Sequence, residues 1–214
     1  MVTPGIKRYT KREEFLNAVT HLCGVVLAFF ALKPLWGVAE KGGSKLFSAG
    51  VVVYWLSILM MYCASSCYHI FQDEWLKLRC RKFDHIAIYW LITGTYAPLM
   101  LGVLRNCSAY LLLGILFALS IAGTIGKLCF ANKFHKFEIA IYLLMGWCCL
   151  FVIKPLYAAM PDRSFCFLLS GGIVYSVGTL SYLLRREFAH AAWHLFVLTG
   201  TVLQFFAILT MLDQ

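Results

Sequence analysis

Long apolar runs alternate with short polar stretches along nearly the whole chain. A membrane-spanning helix needs about 20 mostly apolar residues. Seven runs reach this length and lie roughly at Ala18–Val38, Leu46–Phe71, Phe83–Leu104, Tyr110–Phe130, Phe137–Tyr157, Phe165–Leu184 and Ala189–Met211. The period-2 alternation of a membrane β-barrel is absent from the sequence. The pattern predicts an all-α integral membrane protein, a seven-transmembrane helix bundle, with residues 1–214 forming one membrane domain.

Composition supports this class, because 61% of the 214 residues are hydrophobic and 14% are charged. A soluble domain carries about 25% charged residues. Residues 1–16 are polar and lack a cleavable signal pattern, so we expect a cytoplasmic or interfacial N-terminal segment. We expect the chain to lie in a membrane and to cross it several times.

Basic residues concentrate on one side of the predicted bundle. Most of the 19 lysines and arginines precede the first run or lie between runs two and three, four and five, and six and seven. The positive-inside rule then predicts a cytoplasmic N-terminus and a C-terminus outside. Charge at helix ends suits anionic lipid headgroups and not nucleic acid. Lys127, near the end of the fourth run, is expected to extend towards the headgroups.

A histidine pair, His190 and His194, opens the last apolar run. Two histidines four residues apart lie on one face of a helix. Placing imidazoles at the end of a lipid-embedded helix costs free energy, so such residues are expected to have a function. His69 ends the second run, and Ser65, four residues earlier, shares its face. If runs two and seven meet at the same side of the membrane, these three histidines come together.

Three imidazoles suit zinc and leave its fourth tetrahedral position to water, which favours a catalytic over a structural site. Ser65 is then expected to hydrogen-bond the water or a developing oxyanion. The main rivals to the ligand set are Cys67 and His21.

A second polar stripe consists of Glu14, Asn17 and His21, which follow each other at helical spacing at the start of the first run. It is either an ordinary charged helix end with a buried histidine or a support for metal ligands through hydrogen bonds. Asp84 begins the third run, where helix capping alone would explain it. The alternative is that Asp84 accepts a proton from the zinc water. His85 points about 100° away on the same helix and is not expected to serve the same site.

The predicted topology places all these polar residues at one depth, in the inner third of the bilayer. Three motifs in this order resemble the haemolysin III family, the bacterial branch of the progestin and adipoQ receptor superfamily. They are Glu14-x2-Asn17-x3-His21, Ser65-x3-His69 followed by Asp84, and His190-x3-His194.

The resemblance implies seven spans, a cytoplasmic N-terminus and zinc held by His69, His190 and His194, with Ser65 and Asp84 around the zinc water. Ceramidase-type amide hydrolysis is associated with the receptor branch. For the haemolysin III branch, the family name reflects cytolysis, and a role in membrane-lipid homeostasis has been proposed.

We therefore expect a zinc-dependent hydrolase of lipid amides or esters. Its partners are membrane lipids, with a ceramide-like or phospholipid substrate. The alternatives are a pore-forming cytolysin, acting as a homo-oligomer with a structural zinc, and a sensor of membrane state.

Overall fold

The structure is a computed structural model that describes residues 9–130, 135–183 and 186–213. Within these ranges the secondary structure is helical, with no strand. The helices are α1 (Lys11–Lys41), α2 (Lys45–Ile70), α3 (Glu74–Pro98), α4 (Cys107–Phe130), α5 (His135–Trp147), α6 (Ile153–Ala159), α7 (Asp162–Leu183) and α8 (Ala189–Thr210). A π-helix, Leu99–Leu104, extends α3, and a 3₁₀ turn, Cys148–Val152, joins α5 to α6.

Seven helical segments of the described chain are long and apolar enough to cross a membrane. The fifth segment, Phe137–Ala159, consists of parts of α5 and α6 and the turn between them. Large apolar side chains cover the outside of the bundle, and Phe30 and Phe151 are 74% and 86% exposed. Such exposure is unfavourable in water but favourable against lipid tails. The prediction of a seven-helix, multi-pass membrane protein is confirmed.

The start of the third span differs from the prediction. It begins at Glu74 and not at Phe83, and the side chain of Asp73 caps it by accepting the N–H of Leu76 at 2.9 Å. Charged residues are tolerated in a helix where it extends beyond the hydrocarbon region. Apolar periodicity alone therefore placed the start of this helix too late. Asp84 therefore lies well inside α3, and the capping explanation for it is wrong.

The first span also begins earlier than predicted, at Lys11 and not at Ala18. Thr10 and Glu13 form a capping box, in which Glu13 N–H donates to Thr10 Oγ1 and Thr10 N–H donates to Glu13 Oε2 at 2.8 Å. Residues 1–8 of the predicted N-terminal segment lie outside the described residues. The box fixes the first turn of α1, which carries Glu14 towards the bundle.

The core lies between α1, α2, α3 and α8, with α7 packed along α8. Two close approaches depend on glycine. A Cβ at Gly24 of α1 would lie 2.3 Å from the ring of Tyr62 on α2, and one at Gly50 of α2 would lie 2.9 Å from the carbonyl oxygen of Ala97 on α3. Gly24 lets α1 pack closely against α2 near His21, whereas Gly50 lets α2 pack against α3 near the opposite end of the bundle from His69.

Candidate metal centre

The three predicted histidines converge at one end of the bundle. His69 lies in the last turn of α2, and His190 and His194 occupy the first turns of α8. All three are buried, and one ring nitrogen from each lies within 4.8 Å of the others. This group could hold a metal ion. Because α2 ends and α8 begins at the same side of the bundle, residues separated by more than a hundred positions become neighbours.

Hydrogen bonds define the state of the His69 ring. Its Nδ1 lies 2.7 Å from Glu14 Oε2. An ionised carboxylate only accepts hydrogen bonds, so Nδ1 donates and a neutral ring keeps its lone pair on Nε2. That Nε2 is buried and has no hydrogen-bond partner within the described residues. A buried lone pair without a partner is costly in a protein interior and suits a metal ion.

The His194 ring is oriented in the same way. Its Nδ1 lies 3.2 Å from the backbone oxygen of Asn17, which can only accept, so Nδ1 carries the hydrogen. The Nε2 of His194 then keeps its lone pair and lies 3.1 Å from Nε2 of His190. The donor set on the page is thus two or three neutral imidazole nitrogens directed at one small volume. This is the chemistry that zinc prefers.

The stripe on α1 meets this histidine group. Glu14 contacts His69, and Asn17 contacts His194 through its backbone oxygen, while the Asn17 side chain is buried without a partner among the described residues. The ring of His21 stacks on the ring of His194, with 3.6 Å between centroids. Both ring nitrogens of His21 are buried and have no hydrogen-bond partner among the described residues. His21 supports the group by packing and does not join the converging three.

Aromatic side chains surround the histidines and were missed by the sequence analysis. Tyr9 stacks on His190 at 5.0 Å between centroids, and Tyr68 lies 4.5 Å from His69. Tyr182 and Trp193 lie 5.8 and 5.9 Å from His190. Tyr68 and Trp193 directly precede the motif histidines in the sequence, which was the available signal. These rings restrict the histidine rotamers and exclude water.

Tyr9 precedes α1 and is held among ionisable groups. Burial, followed by the phenols Tyr68 and Tyr182 and the carboxylates Asp84 and Glu14, raises the pKa of Tyr9. Tyr9 therefore stays a neutral phenol at physiological pH. Asp84, Tyr9 and His190 line one cavity, which places Asp84 in the surroundings of the histidine group.

The first turn of α8 is held by a contact from α1. Phe188, immediately before α8, has a left-handed backbone with φ of 59°, and its N–H donates to Glu13 Oε1 at 3.3 Å. A carboxylate at a helix N-terminus satisfies a free N–H and favours the helix dipole. Glu13 thus caps both α1 and α8 and fixes where His190 begins the last span.

A cavity of about 1010 Å³ opens beside the histidine group. At its polar end it is lined by His190, Asp84 and Tyr9, and at its other end by Leu99 and Gln204. Both His190 and Gln204 belong to α8, so at 1.5 Å per residue the cavity extends about 21 Å along that helix. The space is long and mostly apolar, with charged side chains at the His190 end and Gln204 at the other. This shape fits a lipid chain with its polar group beside His190.

Not every predicted residue faces this cavity. Among the described residues that line it, His190 and Asp84 are present, whereas His69, His194 and Ser65 are not. Ser65 lies one helical turn from His69 and is fully buried, and its hydroxyl has no partner among the described residues. The structure therefore brings Asp84 to the cavity and leaves Ser65 behind the histidines.

A second buried polar group joins α3, α4 and α5, and we call it the Lys127 cluster: His85, Lys127 and Glu138. Lys127 Nζ donates to Glu138 Oε1 at 2.6 Å, and His85 Nδ1 lies 3.0 Å from Glu138 Oε2. The prediction that Lys127 extends to the headgroups is wrong, because its side chain is 4% exposed and paired. His85 contacts Lys127 and Glu138, and it also lines the cavity beside Asp84. Glu138 was missed because a lone acid near a helix start gives no sequence signal.

Comparison with known proteins adds to this geometry. The model of the family described as "Haemolysin-III related" matches residues 9–205. The chain is 38% identical to "Hemolysin-3 homolog" of Bacillus subtilis (strain 168), over 94% of this chain and 95% of that protein. It is 39% identical to "Hemolysin-3" of Bacillus cereus, over 97% and 96%. At 26% identity it matches human "Monocyte to macrophage differentiation factor", over 96% and 87%.

Proposed function

The chain belongs to the haemolysin-III-related family, and we propose that it is a zinc-dependent hydrolase that cleaves an amide or ester bond in a membrane lipid. The observation that carries this proposal is the position of the histidine group. Three buried imidazoles converge, and one of them, His190, lines the polar end of a cavity that is long enough to hold a lipid chain. A purely structural metal site would not require a 1010 Å³ cavity beside one of its ligands.

The residues that would hold the metal are His69, His190 and His194. The contacts at Nδ1 leave the lone pair on Nε2 in His69 and His194. Zinc, when bound, supplies an electrophile for the lipid carbonyl and lowers the pKa of a coordinated water to about 7. Glu14, Asn17 and His21 hold the imidazole rings in place from α1. His190 is the member of the set that lines the cavity.

The chain supplies the remaining groups of the reaction. The lipid chain lies along α8, and its carbonyl approaches His190 and Asp84. Asp84 accepts a proton from the attacking water, whose oxygen bonds to the carbonyl carbon. Asp84 then returns that proton to the nitrogen or oxygen that leaves when the second bond breaks. Ser65 lies behind the histidines and away from the cavity, so its hydroxyl, which has no partner among the described residues, would contact a water in the histidine group from that side. The surrounding tyrosine rings exclude bulk solvent.

Lipid turnover by the purified protein tests this proposal. Turnover should require zinc, stop on addition of a chelator, return on readdition of zinc, and fall by at least 10²-fold in Asp84→Ala, the range for loss of a general base. The assay uses a ceramide and a phospholipid separately, in detergent micelles. Equal release of fatty acid by wild type, chelated protein and Asp84→Ala would overturn the proposal.

A second candidate is a pore-forming protein in which zinc only clamps α2 to α8. It is favoured by the name of the Bacillus cereus relative, "Hemolysin-3". In this case an oligomer should release a trapped dye from liposomes. Leakage that survives Asp84→Ala but is lost in His190→Ala would favour the pore over the hydrolase.

The proposal includes an orientation in the bacterial plasma membrane, with the N-terminus and the histidine group at the cytoplasmic side. It rests on the excess of basic residues beside this end, including Arg12, Arg79 and Arg186. Labelling of single cysteines placed at residues 43 and 187, from outside intact cells, tests it. Only the cysteine at residue 43 should react.

A further inference from the structure

One buried lysine beside the histidine group has a role that the functional proposal leaves unassigned. Lys77 lies in the first turn of α3, and its side chain is 9% exposed. Its Nζ lies 2.7 Å from Glu14 Oε1, 3.2 Å from the carbonyl oxygen of Tyr68 and 3.3 Å from that of Phe71. An ammonium group has three hydrogens to donate, and here there are three acceptors. They come from α1 and from the end of α2, so one side chain of α3 joins three helices.

The two carbonyls belong to the segment that carries His69. The last carbonyls of a helix have no partner within the helix and bear the negative end of its dipole. Tyr68 precedes His69, and Phe71 is the residue that ends α2. Lys77 thus caps the end of α2 with a positive charge on both sides of His69. This contact holds the backbone from which the imidazole projects.

The carboxylate of Glu14 is held from two sides. Oε2 accepts from His69 Nδ1 and Oε1 accepts from Lys77 Nζ, both at 2.7 Å. With both oxygens bonded, the carboxylate has a fixed orientation, and it fixes the plane of the His69 ring in turn. Without Lys77, Glu14 would be a buried charge with a single neutral partner, which is unfavourable.

We propose that Lys77 is a positioning residue of the metal centre. It holds Glu14 and the end of α2 in register, so that His69 presents Nε2 to the ion. Lys77 acts through these two residues and contacts neither substrate nor metal. The inference rests on the metal centre of the proposed function but not on hydrolysis.

Zinc affinity tests this role without reference to turnover. The dissociation constant of the full chain in detergent is measured by competition with a chelator of known affinity. Lys77→Met should weaken zinc binding by about 10–100-fold, as loss of a partner behind a metal ligand does. Lys77→Arg, which retains the charge and the donors, should bind more tightly than Lys77→Met. Adding Lys77→Met to Glu14→Gln should weaken binding by less than Lys77→Met does alone, because the contact through Glu14 is already lost and only the two carbonyl contacts remain.

The matched control removes the other buried lysine and its carboxylate, in Lys127→Met/Glu138→Gln. This double variant removes a similar buried ion pair, which joins α4 to α5. It should leave zinc affinity unchanged. If Lys77→Met does not fold, Lys77→Gln, which keeps a donor to the carbonyls, is measured in its place.

Two results would overturn the inference: wild-type affinity in the Lys77 variants, or an equal loss of affinity in the Lys127 control. Failure of the wild type itself to bind zinc would instead refute the metal centre.

Discussion

Breaking the Lys127 cluster is the sharpest test of how the fold holds charge inside the membrane. Lys127 and Glu138 are each 5% exposed, and their charged atoms are 2.6 Å apart. At an effective dielectric constant of 20, that separation corresponds to an attraction of about 6 kcal/mol. This attraction is balanced mostly by the desolvation of both ions. The pair as a whole therefore contributes little, whereas either ion alone is strongly destabilising.

Lys127→Met removes the cation that donates to Glu138 Oε1 at 2.6 Å and breaks a buried ion pair. We expect the free energy of unfolding to fall by about 3–5 kcal/mol, the range for removing one partner of such a pair. Glu138→Gln should lower the free energy of unfolding by a similar amount, because it leaves the buried ammonium of Lys127 without its carboxylate partner. The double variant should be more stable than the sum of the single losses predicts, since neither ion remains.

The free energy of unfolding is measured for the wild type, the two single variants and the double variant. A denaturing detergent in mixed micelles unfolds each protein, and the loss of helix content is followed. The double-mutant cycle gives the coupling energy of the pair directly. Single losses below about 1 kcal/mol would mean that water screens the pair as it does at a surface. Losses that simply add in the double variant would refute the claim that the two side chains form one ion pair.

Two further results follow from the histidine group. Zinc at about 100 times its dissociation constant should raise the free energy of unfolding by about 2.7 kcal/mol. The reason is that the ion binds only the folded arrangement of α2 and α8. An unchanged unfolding curve would contradict an ion shared by these helices. Ser65→Ala should not lower stability, because the deleted hydroxyl is buried without a described partner, but it should reduce lipid turnover. A loss of stability with full turnover would show that Ser65 is structural.

The histidine group was predictable because three independent signals agreed. His190 and His194 share a helix face by spacing alone. The four spans between His69 and the last run are an even number, so the end of the second span and the start of the seventh lie on the same side of the membrane. Hydropathy counts spans well, because each must cover the bilayer core. None of these steps needs knowledge of how the helices pack.

The contacts that fix the rings could not be predicted. Tyr9 reaches His190 from outside the helices, and Thr20 places its hydroxyl 3.2 Å from Nδ1 of His194. Such contacts depend on helix rotation and tilt, which tertiary packing sets and apolar periodicity does not. The partners of Lys127 escaped prediction for the same reason. A lysine near the end of a span is expected to extend its ammonium group to the lipid headgroups, unless a buried acceptor on another helix is known.

One boundary error explains most of what was missed. When residues 72–82 are taken as a loop, Lys77 is merely one of several basic loop residues. In the structure α3 begins at Glu74, so Lys77 and Asp84, seven residues apart, lie nearly on one face, and His85 follows about 100° further round. Lys77 then faces α1 and α2, Asp84 faces the cavity, and His85 faces α4 and α5. The first half of α3 thus connects the histidine group, the cavity and the Lys127 cluster. A change in its rotation would move all three together.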